Sequence, residues 1–209
     1  MVIDPSMANP EIQAINNIAL RSELPISIHF PALFGCDSIT NNNGHIAGII
    51  IMGSLASVHN EYEWQKVLLS FILQTSDDLT PVLGICYGHQ FLAHIFGGKV
   101  GPLWNGKKKR GVRSVNLSAN RLWNDEKSGM LAYSHLEGVV ECPNDFEVIA
   151  TSEMVQIDGI ASKTRPIWGF QPHIEATQSF LKKREVNEHF SYNFGYEILD
   201  SFLRFCSNK

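Results

Sequence analysis

The chain has 209 residues, of which 44% belong to the AVILMFWYC set and only 18% are Asp, Glu, Lys or Arg. At about 100–200 residues per domain this reads as one domain, 1–209, with enough apolar material for a core and too little charge for disorder. Lys plus Arg total 17 against 21 Asp plus Glu, a net charge of −4, which argues against a nucleic-acid partner.

The first residues, MVIDPSMANPEIQ, lack a basic segment followed by a long apolar one, and no apolar run nears the ~18 residues that span a bilayer. A cytoplasmic protein with no membrane partner is expected. Cys36, Cys86, Cys142 and Cys206 lie far apart, with no CxxC and no paired Cys/His spacing. Neither a disulfide framework nor a metal site is expected from them.

In chain order, Val2-Ile3 reads as the stub of a strand, and residues 8–20 place Ile12, Ile15 and Ala19 at helical spacing. PISIHF at 25–30 alternates like a strand, and IAGIIIM at 46–52 reads as a buried one. Residues 61–75 repeat Trp64, Val67/Leu68 and Phe71/Ile72 on one helical face, followed by a short apolar run, PVLGI, at 81–85. A second helical pattern, Phe91/Leu92 and Ile95/Phe96, ends at Gly97-Gly98.

From Val112 onward strands crowd together: VRSVNL at 112–117, GVVE at 138–141, FEVIAT at 146–151, MVQIDGI at 154–160 and IWGFQ at 167–171. An amphipathic helix carrying Tyr196, Ile198/Leu199 and Phe202/Leu203 closes the chain. The pattern predicts an α/β fold: an open, mostly parallel twisted sheet with helices on both faces, plus a small antiparallel addition.

The sharpest chemical signal is Gly84-Ile85-Cys86-Tyr87-Gly88, where a strand gives way to a helix. A nucleophile on such a tight turn needs small residues two before and two after, because side chains there collide with neighbouring backbone. A helix N-terminus also favours negative charge. Taken alone, the pentapeptide fits either a nucleophilic thiol or a merely packed turn. A thiolate doing acyl chemistry needs a base and a group to orient it. Gln171-Pro172-His173-Ile174-Glu175 offers an imidazole and a carboxylate at i and i+2, which face one side of an extended segment.

These residues resemble the class I (triad) glutamine amidotransferases. GICYGHQ at 84–90 is similar to the family's nucleophile motif, QPHIE at 171–175 to its histidine–glutamate motif, and IIIMGSLASV at 49–58 to its oxyanion loop. SHLEGVVECPNDFEVIATSE at 134–153 is similar to its Ser-His segment and the strands that follow. The resemblance implies a flavodoxin-like fold and a domain like the glutaminase part of GMP synthase. It implies Cys86 as nucleophile, His173 as base and Glu175 as the group that orients it. Backbone N–H groups of Tyr87 and of the Gly53-Ser54 turn would hold the oxyanion, and Gln90, Ser134 and His135 would contact the substrate.

The substrate would be glutamine or another γ-glutamyl amide, with no cofactor and no metal. The ammonia would pass to a separate synthetase or synthase partner. Two alternatives stay open: a stand-alone γ-glutamyl hydrolase, and a degenerate regulatory protein of the same fold.

Three positions depart from the family pattern. Gly53-Ser54-Leu55 stands where relatives carry Gly-Gly-Pro or Asn-Gly-Pro, and serine tolerates a positive φ poorly, so a differently shaped turn is expected. Pro172 precedes His173 instead of following it. Lys109 and Arg110 occupy the region of an acid that holds the substrate's ammonium. The run Lys107 to Arg110, with Arg113 beyond, reads either as a solvated loop or as a docking patch for an acidic partner or a phosphate-bearing acceptor. His89, in the first turn after Cys86, is expected to play a supporting role, while His29, His45, His59, His94 and His189 have no motif around them.

Overall fold

The computed structural model describes residues 1–42, 44–187 and 189–208. The parallel half runs β1 (Val2–Ile3), α1 (Ile12–Arg21), β2 (Ile28–His29), α2 (Pro31–Phe34), α3 (Asp37–Thr40), β3 (Ile49–Ile51), α4 (Glu63–Asp77), β4 (Val82–Ile85) and α5 (Tyr87–Ile95). There follow β5 (Lys99–Pro102), β6 (Lys109–Leu117), β7 (Lys127–His135), β8 (Glu137–Glu141), β9 (Phe146–Thr151), β10 (Gly159–Ser162) and β11 (Ile167–Phe170). Two helices, α6 (Gln178–Lys183) and α7 (Asn193–Ser207), end the chain.

Among the described residues, nine strands form one sheet in the order β2-β1-β3-β4-β11-β10-β9-β6-β7, and β5 and β8 form a separate pair. Pairing is parallel from β2 to β11 and antiparallel from β11 to β7. The antiparallel addition therefore comes in two pieces, one continuing the main sheet and one standing apart as β5–β8.

Alternation along the parallel strands sorts the core onto two faces. Val2, Ile50, Leu83, Ile85, Trp168 and Phe170 point to one side, where Ile15 and Ile18 of α1 and Ile198, Leu199 and Phe202 of α7 cover them. Ile3, Ile49, Ile51, Val82 and Ile167 point to the other, under Leu68 and Ile72 of α4 and Phe91 and Leu92 of α5. Helices on both faces follow from strands that are apolar at every position.

On the α5 side, Gly84 and Gly169 continue the rows begun by Val82 and Ile167 and present no side chain. A Cβ on Gly84 would lie 2.4 Å from the Gly88 carbonyl, and one on Gly88 2.2 Å from Ile51 O. The helix can therefore sit directly on β3, β4 and β11. Gly88→Ala is expected to destabilise the fold by at least about 2 kcal/mol, since the contacting atoms are backbone and cannot rotate away. Urea unfolding with an m-value matching the unsubstituted chain reads this directly, and a loss under about 0.5 kcal/mol would contradict the packing argument.

Several expected elements are shorter or displaced. The 25–30 run pairs only at Ile28–His29, and the 46–52 run only at Ile49–Ile51. The strand read at 154–160 begins at Gly159, because Ser152 and Val155 close a turn (Ser152 N to Val155 O, 2.8 Å). Lys109 and Arg110 are paired strand residues, in register with His135 and Ser134. Arg113, read with that solvated run, is instead 5% exposed. Strands β5 and β7 and helix α6 lie outside the elements that the sequence pattern predicts.

Candidate active site

Parallel strands bring their carboxyl ends to one edge, where α/β sheets place their ligands. Asp4 follows β1 there, Gly53-Ser54 follows β3, Cys86 follows β4, and Gln171 to Glu175 follow β11. Cys86 is 5% exposed and holds φ 53°, ψ −98°. A non-glycine residue in that region is strained by roughly 1–3 kcal/mol. The strain persists because Cys86 N donates to Phe170 O (2.8 Å) while its carbonyl accepts from Gln90 N (3.1 Å).

His173 Nδ1 lies 2.8 Å from Glu175 Oε1, with both side chains buried. The segment is not a regular strand. A single bridge to β7, with His173 N donating to Ala132 O (2.8 Å), turns both side chains inward. The Phe180 ring packs 4.2 Å from the imidazole, centroid to centroid. Burial alone would lower the His173 pKa, but the Glu175 carboxylate and Cys86, each also hydrogen-bonded to it, outweigh burial and raise it to about 10. His173 is thus held as an imidazolium beside the sulfur.

Cys86 opens onto two spaces. A cleft of about 460 Å³ is lined by Gly53, Ser54, Cys86, His173 and Glu175, and is walled by residues 6–11 and by Lys183 and Arg184. A side pocket of about 160 Å³ is lined by Ser57, Cys86, Gln90, Lys108, Ser134 and Glu137, among others. The cleft wall is built from Asp4, whose carboxylate accepts from Ser6 N (3.0 Å) and Glu11 N (3.1 Å). Glu11 in turn pairs with Lys183 (3.1 Å) and Arg184 (3.7 Å).

Ser54 is not among the described residues with positive φ. Its hydroxyl donates to Pro5 O (2.7 Å) and accepts from Ala56 N (3.1 Å), so the turn is closed by a side chain rather than by left-handed backbone. The Tyr87 ring points away from the pocket, stacked on Phe91 and accepting from Gln65 Nε2 (2.9 Å), which leaves only its backbone toward the site. The Ser134 hydroxyl is buried without a partner among the described residues. Lys109 lies over the Trp104 ring, Arg110 pairs with Glu185, and neither lines either space. The cation that does line the side pocket is Lys108.

The His135 side chain is turned toward the protein. Arg113 Nη1 approaches His135 Nε2 (3.0 Å), and His135 Nδ1 approaches Glu137 O (2.9 Å). A guanidinium only donates and a carbonyl only accepts, so this histidine is the neutral Nδ1–H tautomer. Burial, then the Arg113 charge, lowers its pKa to about 3. Arg113 also binds both oxygens of Asp158 and lies 4.5 Å over the Tyr133 ring. The sequence carries one signal for this: Arg113 shares strand parity with the core residues Val115 and Leu117.

Three buried histidines set opposing pH limbs. His89, like His135, is lowered to about 3 by burial, so the stability both contribute is complete above about 6.5 and is lost as pH falls toward 3. His173, raised to about 10, contributes stability complete below about 6.5 and lost as pH rises through 10. Asp4 and Asp158, raised above 3.8 chiefly by burial, offset part of the acid limb. Unfolding free energy measured from about pH 4 to 10 is expected to peak near 6.5. A profile that climbs steadily to pH 10 would contradict the imidazolium assignment.

Residues 27–191 match the family model described as glutamine amidotransferase class-I. The chain belongs to the class-I glutamine amidotransferases. It is 31% identical over 163 residues to the glutamine-hydrolyzing GMP synthase A-chain protein of Pyrococcus abyssi, one of the separately encoded parts of that synthase, covering 77% of this chain and 76% of that protein. It is 35% identical over 135 residues to the protein of the same name from Methanothrix thermoacetophila, covering 60% of this chain and 62% of that one, so it spans less than two thirds of that relative. The solved structure of a glutamine amidotransferase from Methylobacillus flagellatus shares the fold, with TM-score 0.75 at 16% identity over 99% of this chain and 94% of that one. Among the described residues no helix is long and apolar enough to cross a membrane.

Proposed function

We propose that the chain, acting as a single 1–209 unit, hydrolyses the side-chain amide of glutamine through a Cys86 thioester and supplies the ammonia to a separate synthetase. The observation that carries this is one cleft in which a strained Cys86 faces a His173 that is hydrogen-bonded to Glu175 (2.8 Å). The Cys86 thiolate attacks the amide carbon, and the oxyanion takes the Tyr87 N–H and an N–H of the Gly53-Ser54 turn. His173 gives its proton to the departing nitrogen, the C–N bond breaks and ammonia leaves.

Neutral His173 then takes a proton from the water that attacks the thioester. The C–S bond breaks, glutamate departs, and the thiolate–imidazolium pair is restored. Glu175 holds Nδ1–H throughout, which aims Nε2 at the reacting atoms. The side pocket takes the amino-acid end of the substrate, with Gln90 and the Ser134-His135 backbone in its wall. The ammonia leaves through the wider cleft, where the partner docks.

The partner reading rests on the names of the two relatives above, each given as one lettered part of a GMP synthase, which implies a second. The experiment is ammonia release from glutamine by the purified chain, alone and with a separate ATP-dependent GMP-forming synthetase present. Release that depends on Cys86 supports the reading. Its absence in both conditions would refute it.

A further inference from the structure

Outside the proposed Cys86–His173–Glu175 set, one more polar group reaches the sulfur. Gln171, at the end of β11, is fully buried, and its Nε2 lies 3.6 Å from Cys86 Sγ. Its backbone N donates to Asp158 O (2.8 Å). Its Oε1 accepts from Gln90 Nε2 (3.1 Å), which donates at the same time to Glu137 O (2.8 Å). A Cβ on Gly138 would lie 3.3 Å from Gln171 Oε1, so the amide sits in a slot without slack.

The direction of this chain is forced. Glu137 O can only accept, so Gln90 must present its NH₂ there, and the same nitrogen then meets Gln171 with its oxygen inward. Gln171 is left with its NH₂ toward the sulfur. On the far side, Arg113 can only donate, so His135 puts its Nδ1–H on the same Glu137 carbonyl and holds it in place. A buried ion pair, a neutral histidine and two amides thus end in one N–H aimed at the reacting atom.

We propose that Gln171 is a further catalytic residue, donating a hydrogen bond from its amide to the Cys86 thiolate, with Gln90 as the residue that fixes the orientation of that amide. The inference rests on the thioester reading above for its role in turnover. Its physical content, an amide donor held on a thiolate, is measurable without turnover. Hydrogen bonds to charged groups are stronger than neutral ones and weaken steeply when the donor is misaligned. The relay therefore acts through orientation as much as through proximity.

The test is the pH dependence of Cys86 alkylation by iodoacetamide, resolved by peptide mass from Cys36, Cys142 and Cys206, which are also free thiols. In Gln171→Leu the midpoint is expected to move up by about one pH unit, slowing alkylation below the midpoint about tenfold. Gln171→Glu, which places a carboxylate where the donor stood, is expected to move it further. Gln90→Leu, which frees the amide to turn, is expected to give a smaller upward shift. It also keeps the test decisive if Gln171→Leu fails to fold.

Midpoints unchanged in the folded variants would overturn the proposal and leave Gln171 a packing residue. Ammonia release by the unsubstituted chain is measured in parallel. A shifted midpoint with no glutamine turnover anywhere would sink the thioester reading and leave the sulfur contact standing. Normal turnover with unshifted midpoints would do the reverse.

Discussion

Cys86→Ala is expected to lower ammonia release from glutamine by at least ~10⁴-fold while leaving the folded spectrum unchanged, because loss of a nucleophile removes the covalent route and leaves only binding and oxyanion stabilisation. The strain at this position adds a second signature. At φ 53°, ψ −98° an alanine is as strained as a cysteine, whereas glycine is not. Cys86→Gly is therefore expected to be more stable than Cys86→Ala by about 1 kcal/mol, the reverse of the usual order in which glycine is the weaker residue. Both variants are compared by urea unfolding and by ammonia release. An alanine variant that is the more stable of the two would show that the turn stores no strain at residue 86.

Asp158→Ala is expected to lower stability by about 3–5 kcal/mol, the usual consequence of leaving a buried charge without its partner. The abandoned Arg113 is 5% exposed and would keep only the His135 ring and the Tyr133 face. Burial holds the Asp158 carboxyl above its ordinary range even with Arg113 beside it, so desolvation of this pair is not fully repaid. The double variant Arg113→Met/Asp158→Leu should consequently recover most of the loss. It should not recover substrate affinity, because His135 loses the donor that fixes its tautomer and the wall of the side pocket loosens. Equilibrium unfolding and KM for glutamine, taken together, separate these effects. A double variant as unstable as the single one would contradict the pair's description as an isolated buried charge couple.

The parallel half was legible because its strands are short apolar runs between amphipathic helices, and both patterns have a clear period. Gly84 and Gly88 flagged the elbow for a steric reason that the structure states in ångströms, with Cβ approaches of 2.4 and 2.2 Å. The His-x-Glu spacing located a contact, yet the backbone there is a bridged turn rather than a strand. What was illegible depends on long-range pairing. The side-chain partners of Gln90, Arg113 and His135 lie 81, 45 and 22 positions away, beyond any local period. Lys109 and Arg110 look like a solvated run because exposed edge residues and loop residues share a composition. Only pairing with His135 and Ser134 distinguishes them.

Ser54 teaches the converse. Its departure from the family turn suggested altered backbone, but its hydroxyl bonds to Pro5 O and Ala56 N close the turn. The same bonds couple the oxyanion turn to the residue 6–11 wall of the cleft, which no local reading of GSL contains.

The most direct test is to acid-quench the chain during turnover of glutamine and map any thioester by peptide mass. A glutamyl group on Cys86, absent from Cys36, Cys142 and Cys206 and from a His173→Gln variant, is the predicted result. Ammonia release with no adduct on Cys86, or with an adduct on another residue, would contradict it.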